Sequence, residues 1–257
     1  MKRTFIIILA ICMLSIPINS SAVDNSYSWY CKRVQSNAQP PLPSEFGFID
    51  KYPCIWLDKS GSKKVYLTFD AGYENGNVEK ILGVLKSKNV KGAFFILLNL
   101  IESNPDLVKR MSNEGHLVCN HTAHHKNMSK IYDPAIFKQE LDLLSEAYFD
   151  LTGKKISPYF RPPEGTFSES NLKMIEELGY KTVFWSFAYA DWDNNKQPSP
   201  DYAKKKILDN LHDGAVILLH PTSATNAAVL GEVIDSIRAM GYEFGTLDEI
   251  TCQNNKS

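Results

Sequence analysis

Seven short, largely apolar runs recur along this chain, at 65–69, 93–97, 116–119, 159–161, 181–186, 215–219 and 242–246. Between them lie stretches with helical spacing at 78–88, 105–113, 134–151, 168–178, 201–211 and 227–240. The first of these places apolar residues at 78, 81, 82 and 85, one face of a helix. Ser168 reads as a helix cap, while Gly153 and Gly179 stand just past helix ends. Strand and helix alternating about seven times constrains the fold more than any other feature. Parallel strands need a covering crossover, so the pattern predicts an α/β chain with a parallel sheet. A single-domain length favours closing that sheet into a barrel over leaving it open.

In such barrels, chemistry gathers at the carboxyl ends of the strands. Five polar marks fall there: Asp70, the run His121-Thr122-Ala123-His124-His125, Arg161, Asp191 with Trp192, and His220. Asp70 directly follows five strand residues. It suits a turn aspartate before Gly72, or a base beside a bound water. His121 and His125, four apart, can grip one divalent metal from one face of a helical turn, with Thr122 holding the turn. His124 competes with them for that role. Arg161 precedes Pro162-Pro163, where a guanidinium could hold Asp70 ionised or pair with a structural acid. His220 ends a fully apolar run and suits a proton donor, which Asp191 could orient. Trp192 offers either a stacking face for a sugar ring or a core side chain.

A chain of 257 residues with a formal net charge of -1 has no basic excess to attract nucleic acid. Its start has a different character. Lys2 and Arg3 precede an apolar run at 5–16, then Pro17 and the small residues 19–22. That layout predicts a secretory signal with cleavage after Ala22 and an exported protein with no stable membrane span. An uncleaved anchor is the alternative, although the run is shorter than the roughly 20 residues a span needs. Residues 23–63 read as an irregular wrap with a proline-rich turn at 39–44. The regular alternation begins at residue 64 and runs to about 247, with 248–257 as a tail. Of the cysteines left after cleavage, Cys31 and Cys54 are the pair nearest in sequence, and Cys119 reads as a buried small hydrophobe.

Taken in order, residues 68–72, 121–125, 161–165, 191–192 and 218–220 resemble the five motifs of the polysaccharide deacetylase family, carbohydrate esterase family four. The phrases Phe69-Asp70-Ala71-Gly72-Tyr73-Glu74-Asn75-Gly76 and Phe160-Arg161-Pro162-Pro163-Glu164-Gly165 are similar to the branch acting on N-acetylmuramic acid in spore-cortex peptidoglycan, a step toward muramic δ-lactam. The resemblance implies a distorted parallel β/α barrel with fewer than eight full repeats and metal-assisted removal of an N-acetyl group from peptidoglycan glycan strands. It implies Asp70 as base, His220 as acid, Arg161 positioning Asp70, and Asp191 tuning His220. It also implies His121 and His125 as ligands of a divalent metal, zinc foremost. The Glu164 backbone N–H would be the oxyanion donor, with Leu218 and Trp192 against the substrate.

Two departures matter. Ala71 stands where the family's metal-binding aspartate does, which predicts weaker metal affinity. Glu164 stands where many relatives have tyrosine, and its carboxylate would repel the lactyl carboxylate of a muramic sugar. Two alternatives follow: a deacetylase of chitin-like or N-acetylglucosamine glycans, or an inactive glycan-binding relative.

Overall fold

The computed structural model describes residues 25–34 and 37–251. The expected signal segment and Cys252 lie outside them. The strands are β1 (Tyr27–Ser28), β2 (Cys54–Ile55), β3 (Lys64–Ala71), β4 (Ala93–Ile96), β5 (Leu117–Asn120), β6 (Ser157–Phe160), β7 (Thr166–Phe167), β8 (Lys181–Val183), β9 (Ala215–Leu219) and β10 (Glu243–Phe244). The helices are α1 (Val78–Ser87), α2 (Leu98–Ser103), α3 (Pro105–Asn113), α4 (Pro134–Thr152), α5 (Glu169–Glu177), α6 (Pro200–Asp209) and α7 (Ala224–Ala239).

Eight strands form one sheet in the order β10-β3-β4-β5-β6-β8-β2, with β9 also on β3, and every pairing is parallel. The sheet curls back on itself. Bridges from Phe187 to Ile217 and from Leu57 to Ala215 bring the chain beside β8 and β2 against β9. The result is the expected distorted parallel barrel.

Alternation along the strands sorts the side chains. Val65, Leu67, Phe69 and Ala71 of β3 face outward into the layer shared with α1 and α7, while Tyr66 faces the barrel interior with Phe95, Tyr159 and Val216. Thr68 and Asp70 share the inward parity of Tyr66. On β9, Val216, Leu218 and then His220 follow the same rule. Helix ends follow the local code: Ser168 closes a capping box on α5, Asp133 caps α4, and Gly153 ends α4 at φ 68.

The segment before β3 is more ordered than its sequence suggested. It holds β1, a 3-10 helix at Ser44–Lys51 and β2, packed through Trp29, Phe46, Trp56 and Phe184 into an aromatic cluster. β1 pairs antiparallel with β7. Cys119 is buried as expected, and Cys31 and Cys54 are not bonded to each other. Among the described residues no helix is long and apolar enough to cross a membrane.

Candidate active site

A cleft of about 720 Å³ opens at the carboxyl ends of the strands, and Asp70, His121, His125, Glu164, Trp192, Leu218 and His220 line it. Arg161 and Asp191 lie buried behind it. The structure therefore brings the nine sequence-derived candidates together, seven at the surface of the cleft and two beneath it.

Arg161 is wholly buried, and four of the five N–H donors of its guanidinium have a partner. Nη1 donates to Asp70 Oδ1 at 2.8 Å, Nη2 to Thr68 Oγ1 at 2.8 Å and to the Phe184 carbonyl at 3.2 Å, and Nε to the Val183 carbonyl at 3.0 Å. The Phe95 ring lies 4.1 Å beneath it. Burial alone would push the Asp70 carboxyl up. The charges of Arg161, His121 and His220, with the Arg161 hydrogen bond, outweigh it and hold Asp70 below the usual carboxylate range.

His220 is held from the other side. Its Nδ1 meets Asp191 Oδ1 at 2.7 Å, and its backbone N–H donates to Asp191 Oδ2 at 2.8 Å. Asn226 Nδ2 donates to the same Oδ2 at 2.6 Å, and the Tyr189 hydroxyl donates to Asn226 Oδ1. Burial opposes the charged imidazole, but the Asp191 hydrogen bond and charge prevail, with Asp70 adding to them, and raise the His220 pKa. A carboxyl that gives up its proton more readily than usual and an imidazole that holds one more firmly thus line one cleft. Such a pair can take a proton at one side of a bound group and return one at the other.

The histidine run corrects one expectation. Residues 121–127 form an irregular loop with no helical turn, because Thr122 and His125 take left-handed φ values of 74 and 55. Thr122 does hold the loop, its Oγ1 accepting from the His125 N–H at 2.9 Å. Glu140 on α4 anchors it as well: its carbonyl accepts the Ala123 N–H at 2.8 Å, and its carboxylate takes the His124 N–H, His124 Nδ1 and Lys126. That removes His124 from the cleft. His121 Nδ1 stands 2.8 Å from the Arg161 carbonyl, so with its proton there Nε2 is left an acceptor 3.7 Å from Asp70 Oδ2. Burial pushes the His121 pKa down to about 4, which keeps the ring neutral, the form that binds metal.

The His125 ring lies 5.2 Å from that of His121. Among the described residues no three His, Cys, Asp or Glu side chains are arranged to hold an ion. Ala71 packs in the outer apolar layer and does not line the cleft. The two imidazoles could serve as ligands to an ion, but by themselves they do not make a closed site.

Glu164 lies exposed at the rim with φ 59, and Gly165 follows at φ 66. Two successive left-handed residues form a strained turn, a feature found at ligand-binding sites. Trp192 is 64% exposed, so it is not a core side chain, and it lines the cleft. Sequence reasoning missed Thr68, Asn226, Tyr189 and Glu140. Of these only Thr68 carried a signal, sharing the inward parity of Asp70.

Comparison with known proteins agrees with this geometry. The family profile described as polysaccharide deacetylase matches residues 58–183. An uncharacterised 30.6 kDa protein of Geobacillus stearothermophilus is 42% identical over 91% of this chain and 89% of its own. The peptidoglycan-N-acetylmuramic acid deacetylase PdaA of Bacillus subtilis is 40% identical over 90% of this chain and 88% of its own. The solved structure of B. subtilis PdaA, described as a family 4 carbohydrate esterase, superposes with a TM-score of 0.85 at 39% identity, covering 88% of this chain and 96% of that one. With fold, cleft and sequence in agreement, this chain belongs to the polysaccharide deacetylase family and is an enzyme that removes acetyl groups from polysaccharide.

Proposed function

We propose that the substrate is peptidoglycan and that the group removed is the N-acetyl of N-acetylmuramic acid. One observation carries the reading: Asp70, fixed by Arg161, and His220, fixed by Asp191, line the same sugar-sized cleft. Similarity to PdaA over nine-tenths of both chains supports the muramic substrate. In this reading residues 64–247 are the catalytic unit, and the protein is exported and acts in the cell wall or the forespore intermembrane space.

Asp70 accepts a proton from the attacking water, whose oxygen bonds to the acetyl carbon. The backbone N–H of Glu164 steadies the resulting oxyanion. His220 gives a proton to the sugar nitrogen as the carbon–nitrogen bond breaks, and acetate leaves. Trp192 and Leu218 present apolar surface to the sugar. His121 and His125 would hold a divalent ion, zinc foremost. When bound, it would polarise the acetyl carbonyl and the water.

Glu164 favours a second reading. Its exposed carboxylate at the rim disfavours an acidic sugar and would suit N-acetylglucosamine instead. Acetate release from peptide-stripped peptidoglycan, measured beside chitin oligomers, separates the two. Release from the stripped peptidoglycan alone supports the muramic reading. Release from chitin oligomers alone replaces it with the second. No release from either, with or without added zinc, turns the assignment to a glycan-binding relative.

A further inference from the structure

The family profile begins at residue 58, yet residues 27–33 reach three residues that line the cleft. The Trp29 backbone N–H donates to the Gly165 carbonyl at 2.9 Å. Its indole N–H donates to the Trp185 carbonyl, also at 2.9 Å. Arg33 Nη2 donates to the Ala188 carbonyl at 2.6 Å while its guanidinium lies 4.7 Å over the Phe187 ring. The Cys31 thiol meets the Ala188 backbone between them. Ahead of these, β1 is paired to β7, directly after the strained turn, in the register Tyr27 with Phe167 and Ser28 with Thr166.

The packing is as specific as the hydrogen bonding. The Trp29 ring is sandwiched between Phe184 at 4.3 Å and Phe46 at 5.1 Å. A Cβ added to Gly165 would meet Trp185 Cη2 at 2.8 Å and Trp29 Cβ at 3.3 Å, so the turn is closed in by the two tryptophans. A left-handed pair such as Glu164-Gly165 persists only where its surroundings over-determine it. Here part of that surrounding is supplied by a segment about 135 residues earlier in the chain.

We propose that residues 27–33 form a positioning strap of the active site. Trp29 sets the Glu164-Gly165 turn and the Trp185 wall, and Arg33 sets Ala188, so the strap governs how the glycan is seated and how fast it turns over. The proposal rests on the deacetylase reading, and its test separates the two. Arg33 is exposed, so Arg33→Ala leaves the core intact; Trp29→Phe keeps a ring in the aromatic stack but removes the indole N–H; Trp29→Ala removes both.

The full chain and these variants are assayed for kcat and KM of acetate release from peptide-stripped peptidoglycan. Thermal unfolding and co-sedimentation with the insoluble glycan are followed in parallel. Arg33→Ala is expected to raise KM about fivefold with unchanged melting and little change in kcat, and Arg33→Lys to recover part of it. Trp29→Ala is expected to lower kcat tenfold or more at temperatures where the chain is folded, with Trp29→Phe intermediate. Wild-type KM and kcat in both Arg33→Ala and Trp29→Phe would overturn the strap. An inactive parent chain would overturn the deacetylase reading instead. Co-sedimentation then decides: weaker binding by Arg33→Ala supports the strap, and equal binding refutes it.

Discussion

Replacing Thr68 with valine tests how the catalytic carboxylate is held. Thr68 is fully buried, and its hydroxyl stands between two partners, accepting from Arg161 Nη2 and donating to the Ile217 carbonyl, both at 2.8 Å. Valine has nearly the same shape, so packing is conserved and only the hydroxyl is lost. A buried bond to a charged donor is worth roughly 1.5–3 kcal/mol and a neutral one roughly 0.5–1.5 kcal/mol. Nη2 keeps its longer bond to the Phe184 carbonyl, which places the expected loss at about 2–4 kcal/mol.

For a chain of this size each kcal/mol moves the melting midpoint by roughly 2–4 °C, so the variant should melt roughly 5–15 °C lower. With one anchor gone the guanidinium gains freedom and burial weighs more on Asp70, whose carboxyl should titrate higher. The acid limb of the kcat profile should therefore move to higher pH, and kcat should fall about tenfold, about 1.4 kcal/mol. Circular dichroism melts and a pH series of acetate release check both. A variant melting within about 2 °C of the parent, with an unmoved acid limb, would refute the argument that Thr68 holds the Arg161–Asp70 pair.

Three further outcomes are expected. Asp191→Asn removes the charge that favours protonated His220, so the basic limb of the kcat profile should shift to lower pH and kcat should fall at least tenfold, about 1.4 kcal/mol; Asn226→Ala should do the same more weakly, and an unshifted limb in both would contradict the assignment of His220 as acid. His116 faces Lys91, Glu114 and Arg110; burial first, then the Lys91 and Arg110 charges, outweigh Glu114 and push its pKa down to about 4 in the folded chain. Because the unfolded chain takes that proton first, stability should fall as pH drops from 6.5 toward 4, by up to about 3 kcal/mol. His116→Gln should flatten that slope in urea titrations at pH 7 and 4.5, and an identical slope would contradict it. Chelation should lower the rate and added zinc restore it. His125→Ala should then need tenfold or more zinc for half-maximal activity, and an unchanged requirement would remove His125 from the metal site.

Much of the fold was legible because it is written in short-range patterns. All seven expected strands and six expected helices appear, with ends displaced by a few residues, since buried runs, caps such as Ser168 and left-handed glycines such as Gly153 act locally. The short helix α2 and strands β1, β2 and β7 left no such trace. They are two to six residues long and exist through their partners. The histidine loop was misread as helical because spacing alone does not reveal φ. Its shape is imposed by Glu140 on another element. Asn226 sits in the first turn of α7 and looks like any polar helical residue; only folding brings its amide to Asp191. The aromatic residues 29, 46, 48 and 56 were the overlooked sign that the early segment packs.

The contacts of Trp29 with Trp185 and of Arg33 with Ala188 span 156 and 155 residues. Non-local contacts of this kind form slowly, since a long loop must close before they give any return. A chain made from its amino terminus therefore carries the strap well before the wall it fastens exists. The barrel can be largely assembled while the cleft is still slack, and activity should rise after the compact state appears. In refolding, recovery of acetate release should lag behind the burial of the strand core.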